Sequence, residues 1–139
     1  MRQHAGQERG ALSFEVLASV TRLDLSRRGV VELAGIEQLP NLRRLHLADN
    51  SLGDKALAAL APLALLDTLD VSGNGLIRVA YLAALRSLRV LVLSDNAITD
   101  ITPLAKITGL EILDLGDNGV SDLSPLRGLR RLRQLNLDN

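Results

Sequence analysis

The sequence predicts an α/β solenoid of about six coils. Each coil carries one short strand and one return segment, and the strands stack into a parallel sheet on one face. Three observations carry this reading. Leucine supplies 32 of the 139 residues, against one Phe, one Tyr and no Trp, so one branched aliphatic residue builds the core. One pattern recurs along the chain: apolar, two variable, apolar, one variable, apolar, two variable, Asn. Its second apolar residue falls at 23, 45, 69, 91, 113 and 135, at intervals of 22, 24, 22, 22 and 22 residues. A fixed period of this size marks a repeat architecture.

Met1 to Gly10 is polar and lacks the apolar stretch of a signal peptide. That favours a cytoplasmic chain, although the compartment stays open. Leu12, Phe14, Val16, Leu17 and Val20 follow and suffice only for a small cap, so residues 1–19 are expected to be a tail and cap. The repeats then fill residues 20–139. Leu23-Asp-Leu25, Leu45-His-Leu47, Leu69-Asp-Val71, Leu91-Val-Leu93, Leu113-Asp-Leu115 and Leu135-Asn-Leu137 alternate with period two, so each unit holds a strand. A second apolar set follows, as in Val120, Leu123, Leu126 and Leu129. Its spacing of three suits a 3-10 return segment. The second unit is longer and reads Ala56-Leu-Ala-Ala-Leu60, which predicts a true helical turn or two there.

Ile98-Thr-Asp-Ile101-Thr-Pro-Leu104 and Val120-Ser-Asp-Leu123-Ser-Pro-Leu126 resemble the bacterial, internalin-type, 22-residue subclass of the leucine-rich repeat family. The stretch from Val20 to Leu42 resembles that family's first repeat. Leu52-Gly-Asp-Lys-Ala56 is closer to the longer ribonuclease-inhibitor-like class. The resemblance covers roughly residues 20 to 139. It implies a right-handed, curved leucine-rich-repeat solenoid with the sheet on its concave face, a role in binding another protein, and no catalysis.

Two other readings fail. Asn74-Gly75 and Asn118-Gly119 are hairpin signals, but hairpin strands would recur at roughly half the observed period. Ser72-Gly73-Asn74-Gly75 contains a Gly-x-Gly, yet no Lys-Ser/Thr follows it as a phosphate loop needs.

Composition removes further classes. Sixteen basic residues balance sixteen acidic ones, which speaks against a nucleic-acid binder. Without cysteine there is neither a disulfide scaffold nor a thiolate metal site. No apolar run is long enough to insert in a membrane. Fourteen of the basic residues are Arg, which with abundant Ala and Leu suggests a GC-rich, bacterial gene. No cofactor is implied.

Asn50, Asn74, Asn96 and Asn118 are expected to form a structural ladder, their carboxamides satisfying backbone groups that sheet pairing leaves open. Arg28 takes that place in the first unit. His46 stacks between Asp24 and Asp70, a row that could bind a metal or act as a base. One histidine and two carboxylates make a poor closed site, and no nucleophile is evident beside it. Asp49, Asp95 and Asp117, then Asp54, Asp100 and Asp122, supply too few oxygens per coil for calcium and are expected to be turn residues.

The outward strand positions form two columns. The first reads Arg22, Arg44, Thr68, Val90, Ile112, Gln134, and the second Asp24, His46, Asp70, Val92, Asp114, Asn136. Exposed Val90, Val92 and Ile112 among polar neighbours have the character of an interface. The expected partner-binding residues are therefore Arg44, His46, Asp70, Val90, Val92, Ile112 and Asp114. The row just before the strand alternates in sign (Arg43, Asp67, Arg89, Glu111, Arg133), which predicts a self-neutralising ladder whose arginines are already engaged. Arg86, Arg130 and Arg131 fall on the edge entering the strands, and Asp49, Asp95 and Asp117 on the edge leaving them, so a neutral chain would be dipolar.

These expectations converge on a non-catalytic protein-interaction module. A cell-surface or secreted adhesin domain and a regulatory segment of a larger enzyme are the alternatives. The sequence stops at Asp138-Asn139, one residue before the next repeat Asn. Leu129, Leu132, Leu135 and Leu137 then lack a following coil, which predicts a truncated solenoid or self-association through the C-terminal coil.

Overall fold

A computed structural model describes residues 12–139. The polar tail expected over Met1 to Gly10 lies outside the described residues. The first element, α1 (Phe14–Ala18), is a single short helix whose N-cap Ser13 accepts a hydrogen bond from the Val16 backbone N–H at 3.2 Å. It covers the first coil only in part. Leu12, Phe14 and Val16 stay exposed, while Val20, Leu23 and Leu25 pack against the core half-buried. Asn41 Nδ2 donates to the Ala18 carbonyl at 2.7 Å and ties α1 to the second coil.

Six strands follow: β1 (Arg22–Asp24), β2 (Arg44–His46), β3 (Thr68–Asp70), β4 (Val90–Val92), β5 (Ile112–Asp114) and β6 (Gln134–Asn136). They form one open sheet in chain order, and every neighbouring pair is parallel. The register is constant, with Leu23, Leu45, Leu69, Leu91, Leu113 and Leu135 in one row. This is a leucine-rich-repeat solenoid with its sheet on the concave face.

The return segments are all 3-10: Ile36–Gln38, Asp54–Leu60, Ala80–Ala84, Thr102–Lys106 and Ser124–Leu126. The second unit departs from the helix expected there. Its seven residues remain 3-10. The reason lies in the spacing of the buried leucines. Leu57 and Leu60 within it are three apart and both fully buried, and residues three apart eclipse one another at three residues per turn. An α-helix would set them about 60° apart around its axis instead of in line.

The core runs between sheet and return segments through the whole stack. Leu45, Leu69, Leu91 and Leu113 are fully buried, whereas Leu135 in β6 is 38% exposed. Each interior coil is therefore covered on both sides and the last described one on a single side.

The repeat asparagines link the coils. Asn50 Oδ1 accepts from the Arg28 and Val30 N–H groups at 3.0 and 2.9 Å, and its Nδ2 donates to the Leu25 and Leu47 carbonyls at 3.0 and 2.9 Å. Asn96 repeats this one stage later, accepting from Asn74 and Leu76 and donating to Val71 and Leu93. Asn118 accepts from Ile98 and donates to Leu93. The residue before each of these positions turns the chain with a left-handed φ: Arg27 at 58°, Asp49 at 56°, Gly73 at 63°, Asp95 at 57° and Asp117 at 51°. Aspartate tolerates that conformation better than most residues, which accounts for its recurrence there.

Candidate interaction surface

The two columns stand on the concave sheet in the register that alternation predicts. Val90 is paired with Ile112, Val92 with Asp114, and His46 lies between Asp24 and Asp70. Val90, Val92 and Ile112 are half-buried rather than exposed, a correction to the sequence expectation. Side chains on strands roughly 4.8 Å apart shield one another laterally. They form one contiguous apolar patch across β4 and β5. Arg44 lies two strands away, with Thr68 between it and Val90.

The carboxylates of the second column already have backbone partners. Asp24 Oδ1 accepts from the Ser26 N–H at 3.0 Å, Asp70 Oδ1 from the Ser72 N–H at 3.0 Å and the Ser72 hydroxyl at 2.7 Å, and Asp114 Oδ1 from the Gly116 N–H at 2.9 Å. Asn136 Nδ2 also donates to Asp114 Oδ1 at 3.0 Å. Each bond closes the turn two residues beyond the strand, so these aspartates are oriented before any partner arrives. The Ser26 hydrogen bond, with the nearby His46 and Arg28 adding less, holds Asp24 below the usual carboxylate range. Among the described residues no group of three His, Cys, Asp or Glu side chains is placed to hold a metal ion, the row through His46 included.

The charge ladder before the strands forms only in its C-terminal half. Glu111 accepts from both Arg89 and Arg133, the latter at 3.4 Å. These two arginines, Arg89 foremost, push the Glu111 carboxyl below its ordinary value. Asp67 instead accepts from the neighbouring Thr68 hydroxyl at 2.9 Å. Arg43 accordingly has no ion pair among the described residues, against the expectation that this whole row is engaged. Two clefts open on this edge. One of 380 Å³ is lined by Thr21, Arg22, Arg43 and Arg44, and one of 240 Å³ runs from Arg44 past Val90 to Ile112 and Arg133.

Arg86, Arg130 and Arg131 are exposed, as are Asp49, Asp95 and Asp117. One ion pair escaped the sequence reading: Arg27 Nε to Asp49 Oδ2 at 3.2 Å. Its signal was the 22-residue spacing between two left-handed turn residues. Asp54 also acts between coils, accepting from the Ile77 and Arg78 N–H groups at 2.8 and 3.1 Å.

Six in-register parallel strands, 3-10 returns and an asparagine ladder define a leucine-rich-repeat solenoid. Two family models described as leucine rich repeat match residues 38–61 and 86–139. The structure superposes on an internalin (inlF) from Listeria monocytogenes with a TM-score of 0.83 and 34% identity, covering 94% of this chain and 39% of that one. An internalin C2 from the same species gives 0.74 and 34%, covering 93% and 66%. A leucine-rich repeat protein from Leptospira interrogans gives 0.82 and 27%, covering 91% and 33%. No curated protein matches the sequence. The chain belongs to the leucine-rich repeat family, in its bacterial internalin-like form. It spans about two fifths of the internalin and two thirds of the internalin C2. Proteins of this fold are commonly protein-interaction modules.

Proposed function

We propose that the concave sheet is a binding face for another protein and has no catalytic role. The observation that supports this best is the patch of Val90, Val92 and Ile112, which keeps apolar surface accessible in the middle of an otherwise polar sheet. Around it stand Arg44, His46, Asp70 and Asp114, a polar rim of the kind that orients a partner while the apolar centre supplies affinity. The aspartates suit this role because their turn hydrogen bonds have already ordered them, so binding immobilises fewer rotamers. His46 has acidic neighbours on both sides and no nucleophile in its row.

The test is affinity capture from lysate with the intact chain and with a Val90→Arg, Val92→Arg double variant, the fold of each checked by circular dichroism. Proteins held by the intact chain should be lost from the variant. Equal capture by a folded double variant refutes the assignment of this face.

A further inference from the structure

We infer that the strand-entering end of β1 and β2 is a subsite for a phosphorylated side chain of a partner protein. Thr21 and Arg22 from the first coil and Arg43 and Arg44 from the second line the same 380 Å³ cleft. Arg22 and Arg44 are direct register partners. The Arg43 and Arg44 N–H groups both donate to the Thr21 carbonyl, at 2.8 and 3.0 Å. The four side chains therefore spring from one hydrogen-bonded piece of backbone, and all four are exposed.

Three guanidinium groups gathered in this way need a counter-charge. Among the described residues none of the three forms an ion pair. The nearby carboxylates Asp67 and Asp24 make their hydrogen bonds to the Thr68 hydroxyl and the Ser26 N–H and form no ion pair with these arginines. Farther along the same edge Glu111 pairs with both Arg89 and Arg133, whereas Arg22, Arg43 and Arg44 have no carboxylate paired with them among the described residues.

The ligand chemistry follows from the donor set. A phosphate monoester brings about −1.5 to −2 charges and three acceptor oxygens. Three forked guanidinium groups can take those oxygens in charge-assisted pairs, and the Thr21 hydroxyl adds a fourth donor. A carboxylate offers two oxygens and one charge and leaves one arginine unmatched. This inference deepens the reading of the sheet as a protein-binding face. Its test needs no partner, so it can fail while that reading stands, and the reverse.

The experiment follows the arginine Nε–Hε signals of the intact chain by NMR at fixed ionic strength. A short phosphoserine peptide is titrated in, then the same peptide with glutamate in place of phosphoserine. Saturable shifts are expected at Arg22, Arg43 and Arg44 and not at Arg86 or Arg130. The glutamate peptide should bind at least about tenfold more weakly, and an Arg22→Gln, Arg44→Gln double variant should lose at least about tenfold for the phosphopeptide, the size expected for losing charge-assisted hydrogen bonds. Uniform shifts at all arginines, equal affinity for the two peptides, or an unaffected double variant would each overturn the assignment.

Discussion

Asn74 is 3% exposed and bonds through both ends of its carboxamide. Its Oδ1 accepts from the Leu52 N–H at 3.2 Å, while Nδ2 donates to the Leu47, Val71 and Ser72 carbonyls at 2.9, 3.1 and 3.0 Å. An aspartate here would keep the acceptor and lose every donor, turning a negative oxygen towards three carbonyls. Asn74→Asp should therefore destabilise more than Asn74→Ala, which leaves buried groups unpaired at roughly 1–3 kcal/mol each. Urea denaturation of the two variants checks the order. Equal midpoints would mean that the carbonyls find other donors. Gly73 next to it is constrained differently. Its φ is +63°, and a Cβ there would lie 2.3 Å from Asp49 Oδ1. The contact is with the tip of a half-exposed side chain that can turn away, and the coils with aspartate at this position carry the same left-handed turn, so the turn itself does not require glycine.

Among elements, the strands were the most legible in the sequence. A constant period fixes which side chains share a row, so the pairing of Val90 with Ile112 or of His46 with Asp70 needed no coordinates. The return segments were less legible. Leu57, Leu60 and Leu63 carry the three-residue spacing of a 3-10 segment, but the alanine-rich composition of Ala56 to Leu60 also favours a helix, and only packing against the stack decides. The candidate site was legible as two columns and not as chemistry. Nothing in the repeat pattern says that Asp70 and Asp114 are held by Ser72 and Gly116, or that Thr68 draws Asp67 away from Arg43. The turn and ladder carboxylates also make stability depend on pH. Glu111, held by Arg89 and Arg133, and Asp24, Asp100 and Asp122, held by Ser26, Thr102 and Ser124, all stay charged to lower pH in the fold than in the unfolded chain. The unfolded chain thus binds more protons as pH falls, and stability present in full above the ordinary carboxylate values of about 4 is lost below them. The urea midpoint should hold down to about pH 5 and drop towards about pH 3, and Glu111→Gln should flatten part of that drop. A midpoint unchanged across this range would contradict the ion pairs and turn bonds.

At the scale of the whole molecule, stability is a sum over coils and the contacts between neighbours. Position in the stack then matters more than residue type. Leu91 and Leu135 occupy the same repeat position, yet Leu91 is fully buried and Leu135 is 38% exposed. Leu91→Ala should cost about 2–5 kcal/mol, as for other large cavities in a packed core. Leu135→Ala should cost a fraction of that. Urea midpoints decide, with Arg78→Ala as an exposed control. Similar losses at 91 and 135 would mean that another surface covers the last coil in solution. Concentration-dependent light scattering of the 139-residue chain would show whether that surface is a second copy.

The asparagine ladder also has a direction. Beyond its own turn, each carboxamide reaches only backwards: Asn50 to Arg28, Val30 and Leu25, Asn96 to Asn74, Leu76 and Val71, and Asn118 to Ile98 and Leu93. Through this ladder a turn receives its asparagine from the coil made after it, while other turn amides, such as those of Ser51, Ala97 and Gly119, bond to the coil made before. On a chain synthesised from its N-terminus, the amides that the ladder serves, such as those of Arg28, Val30, Leu76 and Ile98, wait for about one more repeat before their asparagine arrives. Locking through the ladder then follows growth one coil behind, and the newest turn is the one still without the asparagine of its successor.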